Sequence, residues 1–154
     1  MRAELINSFL KAGQDVIKQM TGINMEIEKT YIKKPSDNNN IAIVIGLKGE
    51  LEGITAISME EPLAMKMASI MMGGMPVSSL DEISKSAVTE LGNMILGNAA
   101  SLLYNDGFKV DITTPQLIEN VAIQHSKDVP IISTIMKGDI GKIEVEVAIR
   151  EMKK

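Results

Sequence analysis

One stretch of the 154-residue chain combines side-chain types and spacing that suit chemistry: Ser86-Ala-Val-Thr-Glu90-Leu-Gly-Asn93, followed by Gly97. At about 100° per residue, Ser86, Glu90, Asn93 and Gly97 fall within roughly 60° of one another on a helix, so they share one face. Val88, Leu91, Ile95, Ala99 and Leu102 take the opposite side as a core stripe. The shared face offers a carboxylate and, one turn on, an amide carrying both a donor and an acceptor. Gly97 leaves the surface bare beyond Asn93. A glycine inside a helix costs about 1 kcal/mol relative to alanine, and Gly92 adds a second such cost. Close approach of another molecule's backbone would explain these glycines, and helix–helix packing is the rival explanation. By spacing alone, Glu-x-x-Asn is more often a solvated face than a site.

Other candidates for chemistry are weaker. His125 is the only histidine and has no Ser or Cys partner near it in sequence, which gives a hydrolase triad little support; a structural role at a strand end is expected. Asp37–Asn40 lacks the alternating oxygen ligands and closing Glu of an EF-hand loop. Gly73-Gly74 is followed by no G-K-[ST] and is not a phosphate loop. The absence of cysteine removes disulfides and thiolate metal sites and fits a reducing compartment. No metal or cofactor is expected on this chain.

Composition limits the class of protein. Hydrophobic residues make up 45% and charged residues 23%, enough for a sizeable core. A net charge of −4 with no basic stretch argues against nucleic acid, whose phosphates need Lys and Arg. With two Phe, two Tyr and no Trp there is no platform for stacking bases. The opening MRAELINSFLKAGQ is amphipathic and lacks a signal-peptide core. The uncharged run Ala68–Leu80 is too short to span a bilayer and is broken by Gly73, Gly74 and Pro76. The expectation is one cytoplasmic domain over residues 1–154, with no membrane partner.

The elements that must position the Glu90–Asn93 face follow from periodicity. A helix runs from Ala3 to Met20 and stops at Gly22. Met25, Ile27 and Tyr31 alternate with charged residues over Asn24–Lys33, as in a half-buried strand. Ile41–Leu47 and Leu51–Met59 read as a hairpin turning at Lys48-Gly49-Glu50. Glu60–Met72 is a short helix whose methionines, Met65, Met67, Met71 and Met72, are expected to fill the core rather than form a promiscuous surface. Asp81 or Ser84 can cap the long helix that ends near Gly107. Strands follow at Lys109–Thr113, Leu117–Gln124, Ile131–Lys137 and Lys142–Ile149.

This order contains a repeat. Glu4-Leu-Ile-Asn7 opens a helix that stops at Gly22, as Glu90-Leu-Gly-Asn93 sits in one that stops at Gly107. Leu47-Lys-Gly-Glu50 turns into Gly53–Ile57, as Met136-Lys-Gly-Asp139 turns into Ile143–Val147. A duplicated helix–strand–hairpin unit predicts an α+β fold, with strands of both halves in one mainly antiparallel sheet and helices on one face.

The motif Ser86-x-x-x-Glu90-x-x-Asn93 with Pro115 beyond, the surrounding TELGNMILGNAAS and the opening INSFLKAGQDVIKQMTG resemble the CheC/CheX/FliY family of response-regulator phosphatases, over essentially the whole chain. The resemblance is greatest to the CheX type, which carries one such motif in its second half. It implies a CheC-like fold and a phosphatase acting on the aspartyl phosphate of a CheY-like receiver. Glu90 and Asn93 would be catalytic, with Asn93 orienting the attacking water and Glu90 pairing with a receiver lysine. Ser86, Gly97 and Pro115 would contact the partner. Mg²⁺ would reside on the receiver and none on this chain. No Ser or Asp precedes Glu4 by four, so a single site is expected, with Glu4/Asn7 as its degenerate counterpart. A homodimer is implied, for which edge strands, the last ones among them, are candidates. Two readings of a different class stay open: a non-catalytic adaptor binding a receiver or a flagellar switch component, and a dimerisation module.

Overall fold

In a computed structural model, which describes residues 3–34, 41–119 and 128–152, the two halves of the chain build one sheet between them. The spacing of Leu5, Phe9, Val16 and Ile17 becomes α1 (Ala3–Thr21), with those four side chains buried. Then come β1 (Glu26–Lys33), β2 (Ile41–Gly49), β3 (Leu51–Met59), α2 (Glu61–Met71) and α3 (Glu82–Asn105). The chain closes with β4 (Val110–Ile112), β5 (Gln116–Glu119), β6 (Ile131–Gly138) and β7 (Gly141–Glu151).

The sheet order is β1-β6-β7-β3-β2-β4, with β5 also on β2, and every pairing is antiparallel. The repeat appears here as an approximate two-fold. β3 and β7 pair at the centre, and the first strand of each half crosses to the hairpin of the other. Lys33 of β1 lies opposite Ile131, as Ile118 of β5 lies opposite Ala42. The last strand is therefore central, and β6 lies between β1 and β7. The edges are β1 on one side and β4 with β5 on the other, so the expectation that the last strands form an edge does not hold. Each hairpin needs its outer neighbour from the other half, which buries both.

Alternation assigns the two faces of the sheet. Ile43, Ile45, Ile57, Val145 and Val147 face the helices and join Phe9, Ile17, Met67, Leu91 and Leu103 in one core. Burying each such side chain contributes about 1.5–3 kcal/mol. Met67 is buried, and Met65, Met71 and Met72 are half-buried, which supports the core reading of α2. Met25 is buried, but Ile27, expected half-buried, is exposed. It lies on the edge strand, where the register shifts between Ile27 and Lys29.

The other face of the sheet divides in two. Around β2 and β3 it is apolar: Ala42 and Ala56 are buried, with Val44, Ile54 and Ile118 packed on them. Around β1, β6 and β7 it is polar. Lys33 pairs with Glu146, the two being 7% and 2% exposed, and Glu144 lies 3.6 Å from the same ammonium. Ser58 Oγ donates to Glu146 at 2.8 Å, and Tyr31 Oη and Ser133 Oγ donate to Glu144 at 2.9 and 2.6 Å. Burial by itself would lower the Lys33 pKa, but the hydrogen bond and charge of Glu146 outweigh it and raise the value. Burial raises the Glu146 carboxyl above its ordinary range, against the pull of Lys33 and Ser58.

Candidate functional site

α3 is fixed at its start, in its middle and against the sheet edge. Asp81 caps it: Oδ1 accepts from Ser84 N at 2.9 Å and from Ser84 Oγ at 2.8 Å. The Ser84 backbone and hydroxyl bonds hold the Asp81 carboxyl below its ordinary pKa. Of the two residues that could cap the helix, Asp81 does so, and Ser84 is buried in the first turn. Lys85 forms an ion pair with Glu119 of β5 at 3.3 Å, tying the helix to the sheet edge.

Val88, Leu91, Ile95 and Ala99 are buried as the periodicity requires, together with Leu96 and Leu103. Leu102, expected in the core stripe, is half-buried, because the fully enclosed position near the helix end is Leu103. Gly92 belongs to this inner side. A Cβ there would lie 2.6 Å from Ile43 Cγ2, so the glycine lets α3 settle directly on β2. Neither a partner nor another helix explains it.

On the outer side, Ser86 and Glu90 are exposed, and Asn93 and Gly97 half-buried. Among the described residues, no hydrogen bond or ion pair engages the Glu90 carboxylate or the Asn93 amide. A Cβ at Gly97 would meet nothing among the described residues within 4 Å, so no contact with them accounts for this glycine. The same 100° spacing, carried one turn before Ser86 and two turns beyond Gly97, reaches Ile83 and Tyr104, which sequence reasoning passed over. Both are exposed.

Pro115 is not on this face. It is half-buried in the break between β4 and β5, where a residue without an N–H interrupts the ladder to β2. Beside it, Thr113 exchanges hydrogen bonds with Gly46: its N–H donates to the Gly46 carbonyl at 3.0 Å and its Oγ1 accepts from the Gly46 N–H at 2.8 Å. His125 and Asp37–Asn40 lie outside the described residues, as does the end of the strand expected at Leu117–Gln124. Among the described residues, no three His, Cys, Asp or Glu side chains converge as a metal set. No helix there is long and apolar enough to cross a membrane.

The Glu90–Asn93 pair stands on a ridge, its polar atoms unengaged by the other described residues. A cavity of about 410 Å³ exists elsewhere, near Lys33, Ser58, Pro62, Lys66 and Lys142. A small metabolite would be held poorly on a ridge. A folded partner that brings its own concave site can be met there.

The family model for the chemotaxis phosphatase CheX matches residues 41–137, which include all of α3. The CheY-P phosphatase CheX of Thermotoga maritima is 35% identical over 122 residues, covering 77% of each chain. The chain belongs to the CheX family of chemotaxis phosphatases. Solved CheX relatives carry the same architecture. The CheX–CheY–BeF3–Mg²⁺ complex from Borrelia burgdorferi matches with 33% identity and a TM-score of 0.80, over 97% of this chain and 100% of that one. A CheC-like superfamily protein from Shewanella sp. PV-4 gives 28% identity and a TM-score of 0.87, over 97% and 99%. The α+β architecture expected from the repeat, and the CheC-like fold implied by the resemblance, are thereby shown.

Proposed function

We propose that this CheX family member hydrolyses the aspartyl phosphate of a CheY-like receiver, with Asn93 orienting the attacking water. The observation that carries the reading is the pair of unengaged polar side chains, one turn apart on an open ridge, with bare Gly97 beside them. An acyl phosphate is already activated, so placing water in line behind phosphorus is the main task left to the enzyme. The Asn93 amide accepts from that water through its oxygen or donates to it through its nitrogen. Water oxygen bonds to phosphorus as the bond to the aspartyl oxygen breaks. Inorganic phosphate leaves as H2PO4−, carrying both of the water's protons before it equilibrates with solvent, and the receiver regains its carboxylate. Glu90 pairs with a receiver lysine and sets the register of docking. Mg²⁺ held by the receiver supplies charge neutralisation at the phosphoryl oxygens. Ser86 and Gly97 border the contact, with Pro115 on the neighbouring edge.

The test is phosphate release from a Mg²⁺-loaded, phosphorylated CheY-like receiver. Wild type should accelerate it; Asn93→Ala should lose about 10²-fold or more in kcat, as misplaced catalytic geometry does, while still binding the receiver. Glu90→Ala should mainly weaken binding, by the roughly 1.5–3 kcal/mol of a charged hydrogen bond. Equal loss of turnover and binding from either change would refute this division of roles. Intact binding without acceleration for any receiver would instead favour the adaptor.

The enzyme is further proposed to act in the cytoplasm as a homodimer. β1 is the longer free edge, with eight residues and Ile27 and Ile32 exposed. Light scattering at micromolar concentration should give twice the 16.7 kDa chain mass; the monomer mass would end that proposal.

A further inference from the structure

α3 turns nearly all of its large apolar side chains inward. Val88, Leu91, Ile95, Leu96 and Leu103 lie in the core, and Met94 and Leu102 pack against it. Ile83 and Tyr104 are the exceptions, at 67% and 62% exposed. A single exposed hydrophobic residue is ordinary. These two share a sector: at 100° per residue, Ile83 lies about 60° from Ser86 and Tyr104 about 0°, in line with Glu90 and Asn93. Along the axis they stand roughly 15 Å before Asn93 and roughly 16 Å after it. The stripe is therefore about 31 Å long, close to the width of a standard interface of about 800 Å² per partner.

We infer that Ile83 and Tyr104 are the apolar anchors that seat the phosphorylated receiver, one at each end of the polar Glu90–Asn93 centre. The inference rests on the phosphatase reading above. A carboxylate and an amide on a ridge give register and chemistry but little hydrophobic free energy. Interface affinity usually comes from a few aromatic or aliphatic residues that become fully desolvated. Gly97, with open space around it, lies between Asn93 and Tyr104. It allows the receiver's backbone to approach closely enough for both ends to engage. The occupant is a folded receiver because the stripe is continuous with the catalytic pair.

Steady-state phosphate release from a phosphorylated CheY-like receiver tests this, using wild type, Ile83→Ser/Tyr104→Ser and, as an exposed apolar control on neither α3 nor β1, Met75→Ser. The double variant should raise KM about tenfold, a loss of roughly 1.4 kcal/mol of binding, with kcat within about twofold of wild type. Met75→Ser should change neither. Both altered residues are exposed, so thermal melting should be preserved; if the double variant melts early, Tyr104→Ser alone should still raise KM about threefold. Wild-type activity with an unchanged KM in these variants overturns the anchors and leaves the phosphatase reading standing. A wild type that accelerates release from no receiver overturns both. Loss of self-association at constant KM would assign the stripe to a second copy of this chain, also against the inference.

Discussion

α1 and α3 contain nearly the same text, Glu4-Leu-Ile-Asn7 at the start of one and Glu90-Leu-Gly-Asn93 inside the other, 86 residues apart, and present unlike surfaces. Four residues after the asparagine, α3 has Gly97, while α1 has Lys11, held by Asp15 at 3.4 Å. A further seven on, α3 exposes Tyr104, whereas α1 has Lys18, whose ammonium donates to the Gly22 carbonyl at 3.2 Å. On the inner side, Gly92 lets α3 touch Ile43, and at the matching place α1 has Ile6, packed on the core. A duplicated helix thus keeps its hydrophobic half, because the sheet demands it, and is free to diverge outside. The motif is common to both helices; the bare residue and the exposed apolar ends around it differ between the two copies.

The far side of the sheet diverges in the same way. Ala56 and Glu146 face each other across the central β3–β7 pair, near the approximate two-fold. Ile118 and Lys33 hold matching positions at either flank. One half solved the surface with aliphatic packing, and the other with a buried ion pair.

The largest test of that contrast is Lys33→Met. Removing one partner of a buried pair leaves the other charge uncompensated, so urea unfolding at pH 7 should show a loss of roughly 3–5 kcal/mol. The pH dependence follows from the direction of each shift. Glu146 is raised in the folded state, so its contribution is fully favourable below the unfolded carboxyl value, about 4.3, and is lost as pH rises through the folded value. The deficit of Lys33→Met should therefore shrink toward pH 4; equal deficits at pH 4 and 7 would contradict the pairing. Lys33, also raised, stabilises the wild type fully below about pH 10.4 and ceases to do so as pH climbs through its folded value.

A smaller effect is expected on the helices. Gly97→Lys copies the α1 residue into α3, where a Cβ meets nothing. It should raise stability slightly, by up to about 1 kcal/mol of helix propensity, while cutting kcat/KM about tenfold, near 1.4 kcal/mol. Asn7→Ala, the reciprocal control, should leave phosphate release within about twofold. If Gly97→Lys is fully active, the bare residue does not distinguish the two helices.

Local signals in the sequence carried much of this molecule. The 3.6-residue stripe placed α3, the Lys48-Gly49-Glu50 turn placed the β2–β3 hairpin, and the repeat announced a shared sheet. The Glu90–Asn93 face came from the same spacing, and its chemistry from the family resemblance. Pairing between distant segments was not legible. Nothing local says that β7 is central, or that Lys33 meets Glu146 across 113 positions, although alternating Glu144-Val-Glu146-Val hints at a second face that is not simply solvent. Ile83 and Tyr104 were within reach of the helical arithmetic. That arithmetic gives the sector they share; that both are exposed is a property of the fold.

The crossed arrangement of first strands also governs how the molecule is made. β1 has its partner in β6, where Lys33 meets Ile131, about 100 residues later. At a synthesis rate of roughly 5–20 residues per second, a nascent chain carries β1 unpaired for about 5–20 s. Through that interval the first half lacks β6 and β7, the strands that join β1 to its own hairpin. Both copies of the ancestral unit finish folding together, on the ribosome's schedule for the second.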